Sequence, residues 1–432
     1  VCALLTAAQF GYLEEPLAAK DKLHWVHEIE IHLHVRLQLD EYDRMPEPFK
    51  QYTIDNGRVT FSVPGEFEVD LTIASEDSSG QFWFLDYRPL YSPAPPEMPD
   101  DVRMFLETQV NNAMGVDGLM GCYRYLHEYT LTAKIAEYRR QAMELSRTGL
   151  WIDNLKVERL DRGLAIQYWL NCQHSRPSQS WILLGVHGGK GSDRFQEDSP
   201  SRLMLNWFRD DKEVKDADIR LDADNISTEQ LLMTVISKHI EYLLLPIYRA
   251  LLAKRRYAGK LGRLALDLKG QPQNFRLVMQ LAGEVDATVR VSPWTGEFLF
   301  SPQYAAISDV QRRFRTLANP AKDGPNVLEQ LRWSYTVYHL RSLPKHVDWS
   351  VLRASPVPAD EVKNMVYQQF PPPREAFHTV WVRHVKWDPH CFATLTMSLA
   401  GDSWTLVEMY VLVPVSHMIL FTSRHIISFI SR

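Results

Sequence analysis

A chain of 432 residues with 45% hydrophobic and 23% charged residues is long enough for two or three globular cores, and its composition excludes a disordered chain. The formal net charge of -5 excludes the global basic excess that marks many nucleic-acid binders. Cys2, Cys122, Cys172 and Cys391 lie far apart with no C-x-x-C pair, which argues against a zinc ribbon or disulfide framework and fits a reducing compartment.

VCALLTAAQF has no basic region before its apolar residues and does not read as a signal peptide. Over residues 20 to 45, Leu23, Val26, Ile29, Leu33 and Leu37 fit a helix, while EIEIHLHVRLQLD alternates as a strand would; the helix is the expectation. His24, His27, His32 and His34 fall here without a carboxylate or cysteine at H-E-x-x-H-like spacing, so they read as solvated side chains.

Val59, Phe61 and Val63 alternate with polar neighbours, Pro64-Gly65 turns the chain, and Phe67, Val69, Leu71 and Ile73 alternate again. This predicts a hairpin with one dry face. Phe82-Trp83-Phe84-Leu85 is apolar on both faces, as in a strand covered twice or lying at a contact. After Pro93-Ala94-Pro95-Pro96, helices are predicted at 101 to 112 and about 119 to 147, separated by Gly115 and Gly118. Leu131, Ile135, Tyr138, Ala142 and Leu145 form a stripe on the second.

The pattern then repeats. A hairpin at Leu155 to Leu170, strands at Trp181 to Val186 and Leu203 to Phe208, and an acidic connector, Asp210 to Asp224, lead to a helix opened by a capping box at Ser227 and Gln230. Its apolar arc, from Leu231 to Leu252, is too wide for one sheet face. A third round runs from Leu264 through Phe300 to helices at 306 to 317 and 326 to 342, and a fourth from Thr379 to the end. Four sheet-then-helix units at a spacing of about a hundred residues predict an elongated α+β protein of two tandem repeat modules, each built from antiparallel sheets packed with helices. The expected divisions are a connecting helical segment at 1 to 50, module 1 at 51 to 258, module 2 at 259 to 345 and 379 to 432, and a proline-rich linker at 346 to 378. The final run, YVLVPVSHMILFTSRHIISFI, is broken by Pro414, His417 and Arg424 short of the roughly 18 residues of a membrane span. It reads as a core strand and helix, and a chain ending there is expected to be an excerpt of a longer one.

Signals of chemistry are weak. GVHGGKG at 185 to 191 lacks the spacing and hydroxyl of a phosphate loop and reads as a hairpin tip. His390 and Cys391 are neighbours on a strand and point to opposite faces. Asp210, Asp211, Asp216, Asp218, Asp222 and Asp224 miss calcium-loop spacing. Lys254, Arg255, Arg256, Lys260 and Arg263 complement a helix C-terminus, or else meet an acidic partner or nucleic acid. No catalytic, cofactor or metal residues are expected.

GRVTFSVPGEFEVDLTIA, QFWFLDYRPLYSPAP, GCYRYLHEYTLTAKIAEYRRQAMEL, LKVERLDRGLAIQYWLN and SRLMLNWFRDDKEVKDADI resemble the fungal form of the Mediator subunit 14 family, closely over about residues 10 to 255 and more weakly over 262 to 430. The resemblance implies a nuclear, non-enzymatic scaffold of the transcription coactivator, joining its head, middle and tail modules and contributing to RNA polymerase II contact. No membrane and no small-molecule substrate are implied. It also implies helical and tail-binding regions outside this chain. The candidate partner contacts are Trp83, Phe84 and Tyr87, the helix face at Leu243, Leu244 and Ile247, the cations Lys254, Arg255 and Arg256, and Trp404 with Tyr410. An α/β enzyme using the 185 to 191 loop, or a nucleic-acid module using the 254 to 263 cations, are the other readings.

Overall fold

The computed structural model describes residues 18–77, 80–94, 98–172, 180–188, 201–215, 218–222, 224–259, 262–303, 305–317, 319–342, 348–370, 376–411 and 421–430. Among these the chain is α+β, with four open antiparallel sheets and seven α-helices. Each sheet is a meander whose consecutive strands pair, so every unit is built from local connections.

Helix α1 (Ala19–Leu39) leads into β1 (Tyr52–Asp55), β2 (Arg58–Val63), β3 (Phe67–Ile73) and β4 (Phe82–Pro89). Asn56 and Gly57 close the first hairpin at φ 54° and 71°, the left-handed pair that suits a two-residue turn. The alternating residues Val59, Phe61, Val69 and Leu71 are buried against Leu33 and Leu37 of α1, Phe49, and Leu106 and Val110 of the next helix. Within β4 the apolar run splits by face. Phe82 and Phe84 point inward, while Trp83 and Leu85 are 42% and 39% exposed.

Helix α2 (Asp100–Leu145) is assigned as one element with a break at Asp117 and Gly118, whose φ/ψ of -120°/16° and 58°/-141° are not helical. The two helices expected from sequence are therefore joined end to end. The N-terminal half packs on the first sheet, and Leu131, Ile135, Tyr138 and Ala142 pack into the second core.

The second sheet comprises β5 (Leu155–Leu160), β6 (Gly163–Tyr168), β7 (Ser180–His187), β8 (Arg202–Arg209) and the short β9 (Lys212–Glu213). Helix α3 (Thr228–Leu252) follows, and Ser227 Oγ accepts from the Gln230 amide at 3.2 Å, as the capping pattern requires. After the short α4 (Arg255–Ala258), the third sheet is β10 (Leu264–Asp267), β11 (Arg276–Ala282), β12 (Val285–Val291) and β13 (Phe298–Ser301), followed by α5 (Ala305–Arg315) and α6 (Pro320–Ser342). The wide apolar arc of α3 is explained by its position. It touches Tyr168 and Trp207 of the second sheet through His239, and β10 and β11 of the third. By length and composition α3 could cross a membrane, but Leu232, Val235, Ile236, Ile240, Leu244 and Ile247 are buried within this core. One hydrophobic core thus runs from Tyr91 to Leu331, and it does not divide at residue 258.

The fourth sheet joins β14 (Trp349–Val351), β15 (Phe377–His384), β16 (Cys391–Ser398), β17 (Gly401–Val411) and β18 (Phe421–Ile430). The proline-rich segment expected to be a linker supplies the edge strand β14 and helix α7 (Ala359–Gln369), whose Val362, Met365 and Val366 pack on Trp381, Phe392 and Val407. Prolines at the margins of short elements restrict the chain without preventing packing. The terminal helix expected from sequence is also replaced: 421–430 is a strand paired with β17.

Leu244 is fully buried, so Leu244→Ala should lower unfolding free energy by about 2–5 kcal/mol in a denaturant titration. A change within about 0.5 kcal/mol, typical of surface positions, would contradict this placement.

Candidate functional site

Buried polar groups lie where one sheet meets the next. At the first joint, His127 of α2 is 7% exposed and lies between two acceptors. Its Nδ1 donates to Glu66 Oε2 at 2.6 Å, in the β2–β3 turn, and its Nε2 donates to the Ser201 carbonyl at 2.7 Å, at the start of β8. Two acceptors require both ring nitrogens to carry protons. Burial disfavours the charge, but the Glu66 hydrogen bond and charge, the Ser201 carbonyl and nearby Glu128 outweigh it and raise the pKa above 6.5. Lys134, one helical stretch further, donates to the Gly65 carbonyl at 2.6 Å. Glu128 binds Ser201 Oγ and Arg162. Backbone bonds complete the joint: Ser92 N to Asp224 O at 2.7 Å and Ile226 N to Ser92 O at 2.6 Å.

At the second joint, Trp207 Nε1 donates to Tyr168 Oη at 2.8 Å, and that hydroxyl lies 3.0 Å from His239 Nδ1 on α3. Trp169 stacks on His239 and donates from Nε1 to the Pro293 carbonyl at 2.7 Å, which ties the second sheet to the β12–β13 turn. Gly296 in that turn has φ +72°, and a Cβ there would stand 2.6 Å from the Trp169 ring. No other residue fits both conditions.

The third joint is ionic. Arg332 of α6, 2% exposed, donates Nε to Glu329 Oε2 at 2.9 Å and its two Nη atoms to the Asp402 carboxylate at 2.8 and 2.9 Å. Arg256 of α4 reaches the same carboxylate at 3.1 Å. Burial opposes the Arg332 charge, but Glu329 and Asp402 more than offset it and hold its pKa above the ordinary value.

The residues singled out from sequence fall into three groups. Phe84, Tyr87, Leu244 and Ile247, expected as partner contacts, are buried within this chain. Each lies on the inward face of an element whose opposite face meets solvent or a second sheet. Trp83 is exposed, Leu243 is half-buried against the shared core, and Trp404 is half-buried against the fourth sheet's core. The Tyr410 and Arg255 side chains lie outside the described residues.

The described cations of the basic group that pair do so with this chain's own side chains. Arg256 pairs with Asp402, Lys254 donates to Asn326 at 3.2 Å, and Arg263 meets Glu284 and Asp286 at 3.3 Å. Lys260 and residues 189–191 of the glycine-rich loop lie outside the described residues.

Sequence reading missed His127, Trp169 and the Arg332–Asp402 pair. Glu66 and His127 are 61 positions apart and Arg332 and Asp402 are 70 apart, so no local spacing joins them. The turn Ser292-Pro293-Trp294-Thr295-Gly296 was visible, but not what it received.

A groove of about 750 Å³ lies between β4 and α2, walled by Tyr87, Tyr91 and three arginines. Arg88 is bidentate to Asp70 at 2.8 and 2.9 Å, Arg103 lies 4.0 Å from Asp86, and Arg140 binds Glu137 and Glu144. These cations are matched by this chain's own carboxylates.

The fold and its joints define a chain of linked α+β units in which buried polar groups fasten sheet to sheet. The family model for Mediator complex subunit MED14 matches residues 4–75, and that for the fungal Med14 domain matches residues 247–340. The chain is 55% identical over 402 residues to Mediator of RNA polymerase II transcription subunit 14 of Chaetomium globosum, covering 92% of this chain and 34% of that protein. It is 45% identical over 411 residues to the Neurospora crassa protein of that name, with 93% and 32% covered, and 39% identical over 405 residues to that of Pyricularia oryzae, with 92% and 36% covered. Over most of its length the chain is similar to proteins named Mediator subunit 14, and it spans about a third of the length of these relatives.

Two outcomes follow from the joints. Asp402→Ala leaves Arg332 and Arg256 without their shared carboxylate and should cost about 3–5 kcal/mol in unfolding free energy. A loss below about 1 kcal/mol, the range of surface pairs, would show the joint to be solvated. For His127 the folded pKa is raised, so its stabilisation is complete below 6.5 and is lost as the pH rises through the folded value. The stability gap between wild type and His127→Gln should therefore be about 1–3 kcal/mol in acid and shrink towards alkaline pH. A gap that widens with pH would reverse the assignment of charge.

Proposed function

We propose that this chain is part of an architectural subunit of the Mediator coactivator, joining its head, middle and tail modules and supporting RNA polymerase II transcription in the nucleus. It acts by holding surfaces in fixed relation rather than by catalysis, and it uses no cofactor, small-molecule substrate or membrane. The similarity to Mediator subunit 14 proteins supports the Mediator assignment. The observation that carries the mechanical part is the shared core: α2 serves the first and second sheets, α3 the second and third, and α6 the third and fourth. Motion of one sheet against the next would expose apolar surface worth about 25 cal/mol per Å² and break a buried polar joint.

On such a frame, outward apolar residues can act as fixed partner contacts. Trp83 and Leu85 on β4, and Met104 and Phe105 on the adjoining turn of α2, are all exposed. The Leu85 carbonyl accepts from Arg103 Nη2 at 3.2 Å, which brings the two elements together. Leu243, Arg255, Trp404 and Tyr410 complete the proposed contacts. The two-module division describes the repetition of units within this frame.

Trp83→Ser should change the chain's melting temperature by no more than about 1 °C, a surface-scale effect. It should weaken co-purification of other Mediator subunits by about 2 kcal/mol of binding free energy. The opposite pattern, lost stability with intact assembly, would make Trp83 a packing residue only.

A further inference from the structure

A second groove, of about 670 Å³, lies between the β8–β9 edge of the second sheet and α3. It adjoins a smaller cavity lined by Leu205, Val214 and Ile219 beneath the same edge. Helices lie beside five other sheet edges: α1 beside β1, α2 beside β4 and β5, α3 beside β10, and α5 beside β13. At β8–β9 the groove takes the place of a covering helix. Strand edges carry unused backbone donors and acceptors and are natural sites of polypeptide addition.

The cations of this groove differ from those of the groove beside β4. Arg209 is fixed with its guanidinium carbon 3.3 Å from the centre of the Tyr242 ring. Its closest carboxylate, Asp210, lies 3.8 Å from Nε, beyond hydrogen-bond distance, and Nη1 is buried with no acceptor among the described residues. Lys238 is paired with Glu241 at 3.6 Å. Lys212 and Lys215 are exposed at the rim, and neither forms an ion pair among the described residues. Apart from Glu241, the lining carboxylates among the described residues are Asp210 and Glu213, and neither is hydrogen-bonded to these three cations. Tyr242, 51% exposed, and Leu245 supply an apolar wall.

We propose that this groove docks an acidic peptide segment of a partner polypeptide, with carboxylates against Arg209, Lys212 and Lys215 and an apolar side chain on Tyr242 and Leu245. The stacking on Tyr242 holds the guanidinium in place before a ligand arrives, which reduces the ordering cost of binding. The inference rests on the scaffold reading, which makes the partner a polypeptide.

The test uses the whole chain and a fluorescein-labelled peptide of alternating glutamate and phenylalanine, read by fluorescence anisotropy, with an alternating lysine and phenylalanine peptide as the control. The acidic peptide should bind in a salt-sensitive manner and the basic one should not. Lys212→Glu with Lys215→Glu should weaken binding by roughly tenfold or more, as should Arg209→Gln. Both lysines are exposed, so the double variant tests binding without disturbing a core. Undiminished binding in that variant, equal binding of the basic peptide, preference for a DNA duplex, or no binding at all would overturn the proposal and leave the lysines only the role of guarding a bare edge. A chain that co-purifies with Mediator yet ignores the acidic peptide overturns the groove alone. A chain that binds the peptide but joins no assembly overturns the scaffold reading alone.

Discussion

Arg332 is the constraint on which the far end of the molecule depends. A guanidinium that is almost completely buried needs every available acceptor, and here they come from two directions: Glu329 one helical turn away and Asp402 on the fourth sheet. Desolvating a charge costs several kcal/mol unless its partners are well placed, so the helix and the sheet have one favourable relative position. Arg256 adds a third element to the same carboxylate.

The other joints obey the same rule with different chemistry. His127 bridges a turn and a strand by carrying two protons between two acceptors, and Trp169 bridges two sheets with one indole donor and a glycine that leaves room for its ring. Apolar burial supplies most of the cohesion but tolerates sliding, because it has little direction. Short, directional bonds at the joints select one arrangement from those that burial would allow. The long helices make this possible, since each carries residues of two adjacent units on one rigid element.

Much of the local structure was legible from residue order. The alternation through Val59, Phe61, Val69 and Leu71, the turn at Pro64-Gly65 and the cap at Ser227 each depend on neighbours a few positions apart. The wide apolar arc of α3 was legible too, though not its cause, which is a second sheet rather than a second protein. Phe84, Tyr87, Leu244 and Ile247 looked available to a partner for that reason. The proline-rich segment misled because proline density reports backbone restriction and says nothing of whether Val362, Met365 and Val366 have a surface to cover.

Residue order therefore decided the strands of the first three meanders and the long helices between them, because strand alternation, turns and caps are short-range effects. Tertiary structure alone decided which apolar faces are closed and which remain open, and which charges are matched. Glu66 with His127 and Arg332 with Asp402 come together only after whole sheets have docked. The same docking leaves Trp83 outward and Arg209 stacked on Tyr242 with Asp210 3.8 Å away, so exposure follows from the packing of distant elements rather than from any pattern along the chain.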